Sequence, residues 1–250
     1  MDKRLIADRF ARALPTYDKQ AVVQKQVAIT LVDCLADSVG EGSRVVELGC
    51  GTGLYSRLLL ERLKPSVLWL NDLAPESEQY VAPLLGENVW FVHGDAEQFV
   101  IPSGMDVITA CSVLQWFDDV PRFFRRCANA LSAGGILALS TYLPGTLPEL
   151  AHLTGQGLDY VKSEDILAML YSDFDVVVQQ NETITAAFPT PMHVLHHLKQ
   201  TGVTGTGGLG WTPHRLAIFC AEYKRLYSNS DGNVSLTYKP FYVVATKKEV

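Results

Sequence analysis

No stretch of this 250-residue chain approaches the ~20 consecutive apolar residues that a membrane-crossing helix needs; runs such as Val67–Leu70 and Ile136–Leu139 are much shorter. The opening MDKRLIADRF lacks an apolar core followed by a cleavage site, which predicts a soluble, unexported, cytoplasmic protein. No CxxC pair occurs, and the five cysteines are odd in number, so reduced thiols are expected rather than a disulfide framework. Basic charge is in deficit: 21 Lys and Arg against 27 Asp and Glu leave a net charge of -6. That balance offers nucleic acid no global attraction, and neither nucleic acid nor membrane is an expected partner. Repeats and low-complexity tracts are also missing, which excludes solenoids and disordered arrays.

What is present is a chain that is 48% hydrophobic, enough for one large core, and it reads as one domain over 1–250. Between about residues 43 and 142, short apolar runs alternate with helical patterns, the signature of a parallel βαβ sheet. SRVVELG, VLWLND, VWFVHGD, MDVITAC and GGILALSTY supply five strands, and Leu54 to Leu63 reads as a helix. Residues 1–40 form an amino-terminal arm, expected as two helices broken at Leu14-Pro15, because proline disfavours helix in the residue before it. Residues 41–142 hold this alternation and form the sheet core. Residues 143–250 combine helical patterns near Ser163–Tyr171, Pro191–Gly202 and Thr212–Tyr227 with two strand-like runs, one from Phe174 to Phe188 and one from Val234 onward. These predict the last two strands of the sheet with helical lid insertions, and the five glycines of TGVTGTGGLG predict a mobile loop beside the lid.

The strongest motif is the run Val45 to Gly53, VVELGCGTG, where a first strand must turn sharply into a helix. Its glycines permit positive φ and let backbone approach a ligand closely. A dinucleotide fingerprint would require a third glycine at position 54, where Leu54 stands, and Glu47 would repel a pyrophosphate. Both features disfavour a nicotinamide enzyme. Nineteen residues after Gly53, Asp72 ends VLWLND at the tip of a second strand, where a carboxylate can accept two ribose hydroxyls. Asp95, in HGDAE after a third strand, can accept an adenine amino proton. Any one of these would ordinarily be a turn or a cap, but three at successive strand ends converge on one crevice.

ELGCGTG, the Asp72 end and GDAE resemble class I S-adenosylmethionine-dependent methyltransferases over residues 40–142. The resemblance implies a Rossmann-like α/β fold with a mostly parallel seven-stranded sheet, S-adenosylmethionine as cofactor with S-adenosylhomocysteine as product, and no metal. It implies further that Glu47, Gly49, Cys50, Gly51 and Gly53 surround the methionine moiety, that Asp72 and Leu73 hold the ribose, and that Asp95 and Ala96 meet the adenine. Cys111 to Trp116, including Gln115, would lie near the sulfonium.

The flanks FARALPTYDKQAVVQKQ, TYLPGTLPEL, HHLKQTGV and LTYKPFYVVATKK are similar to the malonyl-acyl-carrier-protein O-methyltransferases that open biotin synthesis; Gly205 to Arg225 departs from that pattern. The resemblance implies methylation of the free carboxylate of a malonyl thioester, carried by acyl carrier protein or by coenzyme A. That carboxylate, with an ordinary pKa of ~4, is already ionised and needs no base. An anion attacking a cation loses charge in the transition state, so neutral donors should surround the attacking oxygen, and any cation should sit further back. Tyr17 and Gln24 are the catalytic candidates; Tyr17, Trp116, Lys199 and Tyr238 are the substrate-binding candidates, with Lys199 as the selective cation and Tyr238 facing the cleft from the last strand. Phe117 could also shape the acceptor pocket.

An acidic carrier needs a basic dock, for which Arg122, Arg125 and Arg126 on one helix face, or Lys3 with Arg4, are candidates. His193, His196 and His197 share a helix face, but no HExxH or acidic neighbour supports a metal there. Other small carboxylates, a quinone precursor, and a cofactor-binding regulator without catalysis remain the alternatives.

Overall fold

The computed structural model describes residues 1–203 and 210–249. In chain order the elements are α1 (Lys3–Gln20), α2 (Val22–Ala36), β1 (Arg44–Leu48), α3 (Leu54–Leu63), β2 (Val67–Asp72), α4 (Ser77–Val81), β3 (Val89–His93), β4 (Met105–Cys111), α5 (Val120–Ala130), β5 (Leu131–Tyr142), α6 (Pro148–Thr154), α7 (Ser163–Leu170), β6 (Phe174–Asn181), β7 (Ile184–Phe188), α8 (Pro191–Gln200), α9 (Pro213–Tyr227), β8 (Val234–Tyr238) and β9 (Pro240–Lys247). Seven strands form one sheet in the order β3-β2-β1-β4-β5-β9-β6. β1 to β5 pair in parallel, while β9 runs antiparallel between β5 and β6. The parallel strands β1 to β5 are those the alternating pattern predicts, and the whole is the mostly parallel seven-stranded Rossmann-like sheet that the resemblance implies.

Its central strands are apolar on both faces because helices cover both: Val45, Val46 and Leu48 of β1 are fully buried. On one face Val27, Leu31 and Leu35 of α2 pack with Leu59 and Leu63 of α3. On the other, Phe123, Phe124 and Cys127 of α5 pack with Ile166 and Leu170 of α7. The order of strands reverses between β1 and β4, and an open α/β sheet makes its binding crevice at the carboxyl ends of such strands.

Several expectations are corrected. The arm does not break at Leu14-Pro15: α1 runs through Pro15 to Gln20, and the turn falls at Ala21. Ala13 and Leu14 are buried while Pro15 faces outward, and the Thr16 hydroxyl donates to the carbonyls of Ala13 and of Gln200, each at 3.1 Å, so tertiary packing outweighs the local cost of proline. The run from Phe174 to Phe188 is two strands, as is the run from Val234 onward; β7 and β8 leave the sheet and pair with each other in a separate ribbon. Tyr238 therefore ends the ribbon rather than lying on the last strand of the sheet. Of the lid segments, α7 is a core helix packed against α5 and β6, whereas α6, α8 and α9 gather around the ribbon. The glycine-rich loop expected over Thr201 to Gly210 falls largely outside the described residues.

Candidate active site

At the end of β1 the chain turns through Gly49, Gly51 and Gly53, all at positive φ. At Gly49 (φ +74°) an added Cβ would lie 2.4 Å from Val113 Cγ2, so both the backbone conformation and the space demand glycine. Gly51 N–H donates to Asp72 Oδ2 at 2.7 Å, and Ala74 N–H donates to Asp72 Oδ1 at 2.8 Å. Asp72 thus joins the glycine turn to the tip of β2. Burial raises its pKa, opposed by these backbone hydrogen bonds. Glu47 lies beneath the turn, wholly buried, and burial pushes its carboxyl up to about 8, so it is protonated at neutral pH.

The crevice is walled by Gly49, Cys50, Gly51, Asp72, Leu73, Asp95, Ala96 and Cys111, which the sequence had singled out. Its wall does not include Glu47 or Gly53: Glu47 supports from below, and Gly53 begins α3 against Val81 and Leu84. Gln115 is also displaced. Its amide donates to Ser112 O at 2.7 Å and accepts from Thr141 Oγ1 at 3.2 Å, which turns it into a neighbouring pocket.

The roof of the crevice is α1, through Lys3, Ile6, Ala7, Phe10, Leu14 and Tyr17. The helix is tied down at both ends. Lys3 Nζ donates to Glu97 Oε2 at 2.6 Å and to Trp116 O at 2.9 Å, and Glu97 also receives the N–H groups of Asp118 and Asp119. Near the other end, Asp18 accepts from Thr52 Oγ1 at 2.5 Å and from Arg57 Nη2 at 2.9 Å. Lys3 therefore belongs to the crevice and not to an outer docking face. Arg126 is likewise committed, its guanidinium donating to the carbonyls of Ala96, Glu97 and Phe99. Arg122 and Arg125 remain exposed on α5, and Arg4 on α1.

Behind the crevice a second, smaller pocket shares Phe10, Tyr17, Gln24, Ser112 and Trp116 with it. The inner pocket is completed by Tyr142, Tyr160 and Tyr238. Burial raises the pKa of all four tyrosines, Tyr17, Tyr142, Tyr160 and Tyr238, so each holds its proton. Gln24 Oε1 is buried without a hydrogen-bond partner, and so is Trp116 Nε1. Buried polar atoms left in this state are expected where a ligand completes the bonding. No lysine, arginine or carboxylate lines the inner pocket among the described residues. Ser112, at the end of β4, is held at φ +60°, a conformation a non-glycine residue adopts at a cost. Tyr238 is 1% exposed, and its hydroxyl lies 2.8 Å from Nε2 of His197. Burial lowers the pKa of His197 and keeps the ring neutral.

A third, outer cavity of about 470 Å³ shares Trp116, Thr146, Leu147, Leu158, Tyr160 and Val203 with the inner pocket. Lys199 lines this cavity and neither of the others, so it lies further from the crevice than Tyr17 and Gln24. His196 lines it as well, while His193 turns its Nδ1 to Thr190 Oγ1 at 2.8 Å, so the three histidines of α8 point to different partners.

Tyr142 and Tyr160 were not singled out from the sequence; Ser112 was included only within the run Cys111 to Trp116, and His197 and Tyr238 were named separately, without their mutual hydrogen bond. They come from the ends of β4 and β5, a loop, α8 and the ribbon, and share no local motif. The one available signal was the aromatic ending STY of β5, which aligns Tyr142 with the strand tips.

A methyltransferase-domain family matches residues 46–139. A malonyl-[acyl-carrier protein] O-methyltransferase of Bacteroides fragilis (strain 638R) is 48% identical over 248 residues, covering 98% of this chain and 51% of its own, so the chain spans about half the length of that relative. Its counterpart in Bacteroides helcogenes is 44% identical over 274 residues and is matched along the whole of both chains. Among solved structures, the YcgJ protein of Bacillus subtilis superposes with a TM-score of 0.63 at 17% identity, over 88% of this chain and 99% of that one. The N-methyltransferase NodS of Bradyrhizobium japonicum, in complex with S-adenosyl-L-homocysteine, gives 0.54 at 15% identity, over 88% and 85%. These two establish the fold alone. With relatives this similar along nearly its full length, the chain belongs to the malonyl-[acyl-carrier protein] O-methyltransferase family of class I S-adenosylmethionine-dependent methyltransferases.

Proposed function

We propose that this chain transfers a methyl group from S-adenosylmethionine to the free carboxylate of a malonyl thioester on acyl carrier protein, giving a methyl ester. The observation that carries the reading is the inner pocket: it adjoins the crevice and is lined by neutral hydroxyl and amide groups, with neither base nor cation among the described residues. A phenolic acceptor would need a proton removed, and no histidine lines the pocket among the described residues; His197 is turned to the hydroxyl of Tyr238. A carboxylate needs no such step.

The glycine turn and the ring of strand ends suit the cofactor. Gly49 and Gly51 bring backbone close to the methionine portion, Asp72 offers its remaining lone pairs to the ribose hydroxyls, and Asp95 with Ala96 borders the adenine end. The cofactor supplies a methyl group activated on a sulfonium. The protein aligns the attacking oxygen with that methyl and excludes water. Positioning of this kind can contribute up to roughly 7–11 kcal/mol.

Tyr17 and Gln24 stand where crevice and inner pocket meet and can hold the carboxylate by neutral hydrogen bonds. Such bonds orient the oxygen without stabilising its charge as strongly as a lysine would, and that matters because the charge disappears in the transition state. Trp116 and Tyr238 border the acceptor, while α1 and its two tethers close the site against solvent.

The test is methyl transfer from labelled S-adenosylmethionine to malonyl-acyl carrier protein, with malonyl-coenzyme A and free malonate alongside. A base-labile ester on the thioester substrates is the expected product. Cofactor binding with no labelling of any malonyl thioester would sink the acceptor and leave other small carboxylates or phenols to be tried.

A further inference from the structure

The outer cavity is larger than the reaction needs. A malonyl group is only three carbons long, yet beyond Trp116 and Tyr160 the space opens into about 470 Å³, within the range of about 300–1,000 Å³ occupied by small-molecule sites. Its walls are mainly apolar, from Leu147, Leu150, Leu158, Leu195 and Leu216, with Thr146, Thr154 and Gln156 as scattered polar partners. At its edge stand the exposed Lys199 and His196, together with Arg9. No carboxylate lines it among the described residues, although acids outnumber bases in the chain as a whole.

We infer that the outer cavity receives the pantetheine arm of the thioester and that Lys199 at its rim reads the arm's 4′-phosphate. This rests on the malonyl-thioester reading above. The arm is a chain of methylene and gem-dimethyl groups interrupted by two amides and a hydroxyl, which matches apolar walls with occasional hydroxyls and an amide. Its one permanent charge is the phosphate. An anion of that kind cannot be drawn among leucines without a large desolvation cost, so it stays at the solvent edge, where a lysine can meet it. The same arrangement explains why Lys199 is absent from the inner pocket. A cation on the carboxylate would hinder transfer, while a cation at the far end of the arm selects substrate without touching the reacting oxygen.

Carrier protein and coenzyme A present the same phosphate, so the rim distinguishes phosphorylated from unphosphorylated arms and not one carrier from the other. Recognition of the carrier surface is a separate contribution, added only by the protein-bound substrate.

The experiment compares malonyl-pantetheine, malonyl-4′-phosphopantetheine, malonyl-coenzyme A and malonyl-acyl carrier protein as acceptors, using the wild-type chain, Lys199→Glu, and Lys25→Glu as a control of equal charge change on the exposed side of α2. The wild type should show a lower KM for malonyl-4′-phosphopantetheine than for malonyl-pantetheine. Lys199→Glu should raise KM for the phosphorylated small acceptors about two- to fivefold more than it raises KM for malonyl-pantetheine, the scale of a solvent-exposed ion pair. Lys25→Glu should leave both arms as in the wild type. Equal KM for the two arms in the wild type, an equal loss on both in Lys199→Glu, or the same pattern in Lys25→Glu would overturn the assignment. Comparing coenzyme A with carrier protein measures what the carrier surface adds. If the wild type methylates none of the four, the malonyl reading itself fails, an outcome distinct from methylation that is indifferent to the phosphate.

Discussion

Replacing Gly49 by alanine tests the crevice at its most constrained point. The residue sits at φ +74°, where an L side chain costs roughly 1–2 kcal/mol. The new Cβ would also meet Val113 Cγ2 at 2.4 Å, well inside contact distance. Val113 can yield only by leaving its rotamer, at about 0.5–1.5 kcal/mol, or by shifting the loop after β4. Together these predict a loss of about 1.5–3.5 kcal/mol, and for a chain of this size about 2–4 °C in Tm for each kcal/mol. Differential scanning calorimetry of Gly49→Ala should therefore show a fall of roughly 3–14 °C, by the same conversion.

A double-mutant cycle separates the two causes. In a Val113→Ala background the overlap vanishes while the backbone strain remains, so Gly49→Ala should cost about 1 kcal/mol less there than in the wild type. Calorimetric titration with S-adenosylhomocysteine should show weakened binding in the single variant, because the loop can relieve its strain only by moving away from the methionine end of the crevice. An unchanged Tm in Gly49→Ala, or an equal cost in both backgrounds, would overturn this account of the turn.

Gln24→Leu should lower kcat/KM on malonyl-acyl carrier protein by about 10- to 100-fold, because it removes the amide N–H that donates to the carboxylate, without lowering Tm, because the amide oxygen lost with it is buried with no partner in the protein; a matching fall in Tm would make Gln24 structural. Glu47 has a folded pKa of about 8, above its ordinary value, so its contribution to stability is complete below about pH 4.5 and fades as pH rises through 8. Glu47→Gln should remove that part of the pH dependence, and urea unfolding at pH 5 and pH 8.5 should give a smaller difference than in the wild type. His197 behaves oppositely: its lowered pKa means stability present above about 6.5 is lost as pH falls, so His197→Gln should flatten the acid side of the same profile. Glu97→Ala removes the acceptor of Lys3 and of two backbone N–H groups, so α1 should become protease-sensitive at Lys3 and Arg4, with KM for the cofactor raised; unchanged digestion would show that the arm is held by packing alone.

The crevice was legible in the sequence because the segments that wall it are local. VVELGCGTG carries in nine consecutive residues both the strand and the turn it must enter, and Asp72 and Asp95 each end their own apolar run. Once three parallel strands are placed side by side, their tips must face one crevice, so Gly49, Gly51, Asp72 and Asp95 could be assembled without coordinates. Glu47 and Gln115 were misplaced by the same reasoning: adjacency to a motif says nothing of whether a side chain points into the crevice, beneath it or past it.

The parallel strands, the glycine turn and the family can be read from the residues alone, because hydrophobic period and backbone permissiveness act over a few positions. It takes the folded chain to show that α1 passes unbroken through Pro15, that Lys3 and Arg126 are spent on internal bonds, and that β7 and β8 leave the sheet. The inner pocket belongs to this second group. Tyr17, Tyr142, Tyr160 and Tyr238 come from segments up to 221 residues apart in the numbering, from 17 to 238, and what makes each a neutral donor is burial. Burial is a property of the assembled layers, which no window of sequence contains.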